Sequence, residues 1–157
     1  MSEPRRTDTA TSHVDASPAE VYAALMDPVA LIDWLPPSGM VGELHEFEPS
    51  FGGPFRMTLS YADTAGAPGK TTAGTDVIEG SFGELVPGER VTWLVRFASA
   101  DPAFAGVMRM TWLMQAAGRG CEVTIVAEDV PPGIRREDHD AGLRSSLANL
   151  AAFLNRE

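Results

Sequence analysis

Met108-Arg109-Met110-Thr111-Trp112-Leu113-Met114, the turn Gly118-Arg119-Gly120, and Cys121-Glu122-Val123-Thr124-Ile125-Val126-Ala127-Glu128 together decide how this chain folds. Large apolar side chains stand at 108, 110, 112 and 114, and apolar side chains of mixed size at 121, 123, 125 and 127. A period of two places each set on one face of an extended segment. Glycines on both sides of Arg119 mark a tight turn, so the two segments read as an antiparallel hairpin with one buried face.

Upstream segments repeat the pattern. Val91, Trp93, Val95 and Phe97 alternate with Thr92 and Arg96, and Phe55, Met57, Leu59 and Tyr61 alternate with Arg56, Thr58 and Ser60. The period of two begins near Glu43. Asp76 to Val86 is strand-like as well, with Gly80 and Gly83 predicting a bulge that leaves its facing open. Turn residues at Ala65-Gly66-Ala67-Pro68-Gly69, Pro87-Gly88 and Ala100-Asp101-Pro102 separate these segments, as expected of an antiparallel meander.

The ends of the chain read as helical. Ser17-Pro18-Ala19-Glu20 is a capping box with proline at the first helical position, predicting a short helix through Met26 after a strand ending near Val14. Asp27-Pro28 starts a second short helix, Val29 to Trp34, which Pro36-Pro37 stops. Val130-Pro131-Pro132-Gly133 breaks the last strand before a helix from about Arg135 to Asn155, striped by Leu143, Leu147, Leu150 and Leu154. Acidic Glu137, Asp138 and Asp140 sit in its first turns, where the helix dipole favours them. The fold expected is α+β: a curved antiparallel sheet of about six or seven strands around a long C-terminal helix. One domain is expected over 9–157, after a flexible polar segment over 1–8.

Composition narrows the partners. The formal charge of -10, from 22 acidic and 12 basic residues, disfavours nucleic-acid phosphates and anionic membranes. Apolar runs are too short to span a bilayer, and no apolar stretch follows Arg5-Arg6, so neither a membrane span nor a secretory signal is expected. Cys121 is the only cysteine, which excludes an intrachain disulfide and suits a reducing cytoplasm. No cofactor motif is present. Gly69-Lys70-Thr71 lacks the earlier glycine and following helix of a phosphate loop, and no Gly-x-Ser-x-Gly elbow appears.

The motifs in this order resemble the START-like, or SRPBCC, helix-grip superfamily. Within it they are similar to the branch related to activators of heat-shock-protein ATPase. The likeness is carried by Ala16 to Leu25, Trp34-Leu35-Pro36-Pro37, Phe51-Gly52-Gly53-Pro54-Phe55-Arg56-Met57, and Gly80 to Trp93, and spans roughly 13 to 155. The branch usually carries Gly-Trp in its last helix, where this chain has Gly142-Leu143. Losing that indole implies either extra room or compensation by Trp112.

The resemblance implies an apolar space between sheet and helix. Its expected walls are Phe55, Met57, Leu59, Tyr61, Trp93, Val95, Phe97, Met108, Met110, Trp112 and Met114, facing Leu143, Leu147 and Leu150, with Trp34 at the mouth. Methionine adapts to varied apolar shapes, which makes the 108–114 stripe the leading ligand candidate. His13, His45 and His139 have no metal-ligand spacing. His45 beside Glu43 and Glu46 reads as solvated, and Arg135-Arg136-Glu137-Asp138-His139-Asp140 as a solvated first helical turn, with Arg135 or Arg136 meeting an anionic ligand head as the alternative if the cavity mouth lies beside it. Inward titratable groups reduce to Tyr61 and, across the uncertain bulge, Glu79 or Glu84. The leading expectation is therefore a cytoplasmic protein binding an apolar or aromatic small molecule, as monomer or homodimer. A cyclase- or hydrolase-like enzyme and a chaperone co-factor are the alternatives.

Overall fold

The computed structural model describes residues 6–36, 40–61, 75–97, 102–104 and 106–154, with 61, 75 and 76 described by backbone alone. The predicted turn over 65–69 and the Gly69-Lys70-Thr71 run lie outside the described residues. Strand β1 (Arg6–Val14) is followed by helices α1 (Pro18–Met26) and α2 (Pro28–Trp34). Strands β2 (Met40–Phe47), β3 (Pro54–Tyr61), β4 (Thr75–Val86), β5 (Arg90–Phe97), β6 (Met108–Ala117) and β7 (Gly120–Val130) precede helix α3 (Arg136–Leu154). A 3-10 turn, Pro102–Phe104, lies between β5 and β6.

The helix starts follow from the caps. Ser17 Oγ accepts from the Glu20 amide while the Glu20 carboxylate accepts from the Ser17 amide, both at 3.1 Å. Asp27 ends α1 and caps α2, its Oδ1 accepting from the Val29 amide at 3.0 Å. Proline at the first position of α1 and of α2 lacks a donor where none is needed.

Seven described strands form one antiparallel sheet in the order β1-β7-β6-β5-β4-β3-β2. Neighbours follow the chain from β2 to β7, and β1 closes the sheet against β7, pairing Val14 with Cys121 and Asp8 with Ala127. β1 starts at Arg6 instead of after residue 8, because Asp8 and Ala10 are buried on its inner face. The bulge expected in β4 falls between Phe82 and Leu85. Gly80 keeps register opposite Val95 and meets a different need: a Cβ there would overlap the Leu94 carbonyl and approach Phe55 Cζ to 3.2 Å.

α3 packs on β1, α1 on β5 and β6, and α2 on β2. Ser146 Oγ donates to the Leu35 carbonyl at 2.6 Å and Asn149 Nδ2 to the Pro36 carbonyl at 2.9 Å, joining α3 to the end of α2. Rings interlock beneath: Trp34 on Trp112, Trp112 on Trp93, Trp93 on Phe55, Phe55 on Phe82 and Phe82 on Phe47, with centroids 5.3–5.8 Å apart. Offset and edge-on contacts of this kind add to the area term.

Gly80→Ala is expected to destabilise the fold by about 2–3 kcal/mol, because β4 and β5 must part to admit the methyl. Urea unfolding measures this directly. An unchanged midpoint would mean that the close approach to Leu94 carries no energetic weight.

Candidate functional site

Sheet and helix do not close on each other everywhere. A cavity of about 660 Å³ lies between α3 and the middle of the sheet. Its sheet wall is Phe55, Met57 and Leu59 from β3, Ile78 from β4, Trp93, Val95 and Phe97 from β5, and Met108 and Met110 from β6. Leu35, Met40 and Phe104 border it as well. The opposite wall is Gly133, Ile134, Arg135, Asp138, His139, Ala141, Gly142, Leu143, Ser145 and Ser146.

Nine expected wall residues are thus brought together: Phe55, Met57, Leu59, Trp93, Val95, Phe97, Met108, Met110 and Leu143. Five are placed elsewhere. Trp34 and Trp112 are 1% and 0% exposed, crossed edge-on at 5.5 Å, and do not border the cavity. Trp34 is no mouth residue, since its indole N–H donates to the Ala24 carbonyl at 3.1 Å inside the α1–α2 pair. Met114 lies further along β6, and Leu147 and Leu150 further along α3, all buried in the core away from the cavity lining. The side chain of Tyr61 lies outside the described residues. Glu79 and Glu84 do not border the cavity, and Glu84 pairs with Arg90 at 2.7 Å on the surface. Trp112 does not replace the indole absent at Leu143, so the position bordering the cavity keeps the smaller side chain.

The charged run before and within α3 is not simply solvated. His139 borders the cavity, its side chain 12% exposed, and its Nδ1 lies 2.7 Å from Asp8 Oδ2. Arg6 donates twice to the same carboxylate, at 2.7 and 2.9 Å, and once to the Ile134 carbonyl at 2.7 Å. Arg136 Nε adds a longer contact of 3.9 Å to Asp8. Burial pushes the Asp8 carboxyl up, but the bonds and charges of Arg6 and His139 outweigh it and hold it below the ordinary carboxylate value. The residues involved are 131 positions apart, and the available signal was Asp8 itself, an acid on the same strand face as Ala10 and Val14.

The other candidates carry less. His45, on the solvent side of β2, meets Thr58 Oγ1 at 2.8 Å. Burial pushes the Cys121 thiol up, which makes it a poor nucleophile. Among the described residues no cluster of three histidine, cysteine or acidic side chains could hold a metal.

Asp8→Asn is expected to cost about 3 kcal/mol, since it leaves Arg6 without its buried counter-charge. A carboxyl with a lowered folded value stabilises the fold above its unfolded value, near pH 4, and that contribution is lost as pH falls through the folded value. Stability of the wild type should therefore fall more steeply than that of Asp8→Asn on acidification below about pH 4. Parallel curves in chemical denaturation would exclude the ion cluster as the cause.

The arrangement has known counterparts. The family model described as Activator of Hsp90 ATPase homolog 1-like protein matches residues 15–155. The crystal structure of protein CV1439 from Chromobacterium violaceum is 32% identical, with a TM-score of 0.85 over 96% of this chain and 98% of that one. The AHSA1 protein of Silicibacter pomeroyi shares the fold at 15% identity, with a TM-score of 0.76 over 95% and 97% of the two chains. Protein Ms6760 from Mycobacterium smegmatis does so at 14% identity and a TM-score of 0.75, over 99% and 98%. No curated protein matches. Seven antiparallel strands, two short helices after the first, and a long last helix thus accompany a family match over nearly the whole length, and the chain belongs to the Activator of Hsp90 ATPase homolog 1-like family of helix-grip proteins.

Proposed function

We propose that the protein is a cytoplasmic binding protein that holds one small apolar or aromatic molecule between its sheet and α3. The observation that carries this reading is the 660 Å³ cavity, whose sheet wall is made of apolar and aromatic side chains among the described residues. That volume lies within the range of small-molecule sites, about 300–1,000 Å³. Removing apolar area from water contributes about 25 cal/mol per Å², so an occupant needs few polar contacts to bind. Met57, Met108 and Met110 give three walls that adjust to shape, and Trp93 and Phe55 offer flat faces for a ring.

The reading is tested by thermal unfolding with 2-methylnaphthalene, biphenyl and decanol. At a hundred times its dissociation constant a ligand stabilises the fold by about 2.7 kcal/mol, a shift of roughly 5–10 °C for a chain of this size. Leu143→Trp should narrow the cavity and weaken the shift for the bulkier compounds while leaving the empty protein folded. No shift with any compound, together with native mass spectra free of bound molecules, would refute the proposal.

A further inference from the structure

The next inference rests on the cavity being a binding site and concerns the chemistry of its occupant. Trp93 borders the cavity from β5 and is 5% exposed. Its indole N–H is buried without a hydrogen-bond partner, whereas that of Trp34 donates to the Ala24 carbonyl. Indole nitrogen donates and does not accept, so an acceptor is what this group lacks. Buried polar groups are nearly always paired, and an orphan calls for an explanation.

Ring faces are weak acceptors, and they suit Trp112 better than Trp93. The N–H of Trp112 is also unpaired, but that ring is crossed edge-on with Trp34 at 83° and does not border the cavity. Trp93 lies tilted against its ring neighbours, at 49° to Phe55 and 56° to Trp112, and it shares a wall with the occupant. Neighbouring side chains cover its N–H, so an acceptor reaches it only when one of them gives way. Register places Phe82 of β4 and Met110 of β6 on either side. Met110 is half-buried, borders the same cavity and is unbranched, the kind of side chain that yields to an incoming group.

The surroundings decide what kind of acceptor fits. Phe55, Phe82, Met110 and Trp112 are uncharged, and an anion placed among them would give up its hydration for one neutral donor. A carbonyl oxygen gives up far less. Phe55, Trp93, Phe97 and Phe104 all border the cavity and offer ring faces to a flat body. We propose that the occupant is an aromatic molecule carrying a neutral carbonyl oxygen, as in an aryl ketone or a quinone, and that this oxygen accepts the indole N–H of Trp93.

Isothermal titration compares 2-acetylnaphthalene with 2-isopropenylnaphthalene, which has nearly the same shape and a methylene in place of the oxygen. The ratio of their affinities should move about tenfold against the ketone in Trp93→Phe, the scale of one hydrogen bond to an otherwise unpaired buried donor. Taking the ratio cancels whatever the smaller ring does to both compounds alike. In wild-type protein isotope-labelled at the indole nitrogens, the Trp93 N–H proton, assigned by through-space contact with Phe55, should move downfield with the ketone and not with the hydrocarbon. That readout decides the matter should Trp93→Phe fail to fold. An unchanged ratio with both compounds bound, or a Trp93 signal that does not distinguish them, overturns the assignment and leaves the cavity as an unselective apolar site. Tighter binding of 2-naphthoate than of the ketone overturns it in favour of an anionic occupant. If no compound binds the wild type, the cavity reading fails and this one with it.

Discussion

One helix cannot cover seven strands. Strands lie about 4.8 Å apart, so this sheet is roughly 30 Å wide, whereas a helix with its side chains measures about 10–12 Å across. The rest of the structure answers that mismatch. α1 and α2 cover part of the inner face near β5, β6 and β2, curvature brings other parts toward α3, and the portion reached by neither remains as the cavity. The same mismatch explains why large aromatic side chains interlock across the sheet, since only long side chains bridge the span.

The helix is held at two places along its length. Near its start, Asp8 gathers Arg6, His139 and, through Arg6, the Ile134 carbonyl. Further along, Ser146 and Asn149 tie it to the carbonyls of Leu35 and Pro36. Between these ties the helix presents Gly142 and Leu143, small enough to leave space beneath. A bulkier residue at 143 would narrow the gap that the ties hold open.

Local periodicity explains how much was legible from sequence. Alternation shows which side chains of a strand point inward, and Phe55, Met57, Leu59, Met108 and Met110 all do so. It does not show which inward residues face a helix and which face space. Trp112 and Met114 follow Met110 on the same stripe but are buried away from the cavity, a distinction set by α1 and α2 far earlier in the chain. Leu147 and Leu150 likewise lie in the core and do not border the cavity. The His139–Asp8 contact was beyond reach for the same reason. An Asp in a polar terminal segment and a histidine in a charged helical turn each look solvated until a strand pairing brings them together.

That pairing has a consequence for how the molecule is made. β1 is made before the other described elements, yet among the described strands it pairs with β7 alone and its helix partner is α3, the two described elements made last. At translation rates of about 5–20 residues per second, β1 must wait on the order of 10 s for them. During that interval β2 to β6 can zip up in sequence as each hairpin emerges, whereas β1 stays unpaired. Alternating threonine and polar residues at 7, 9, 11 and 13 suit a strand that spends its first seconds in water. Asp8 has Arg6 beside it from the start, but it meets His139 only once α3 has been made.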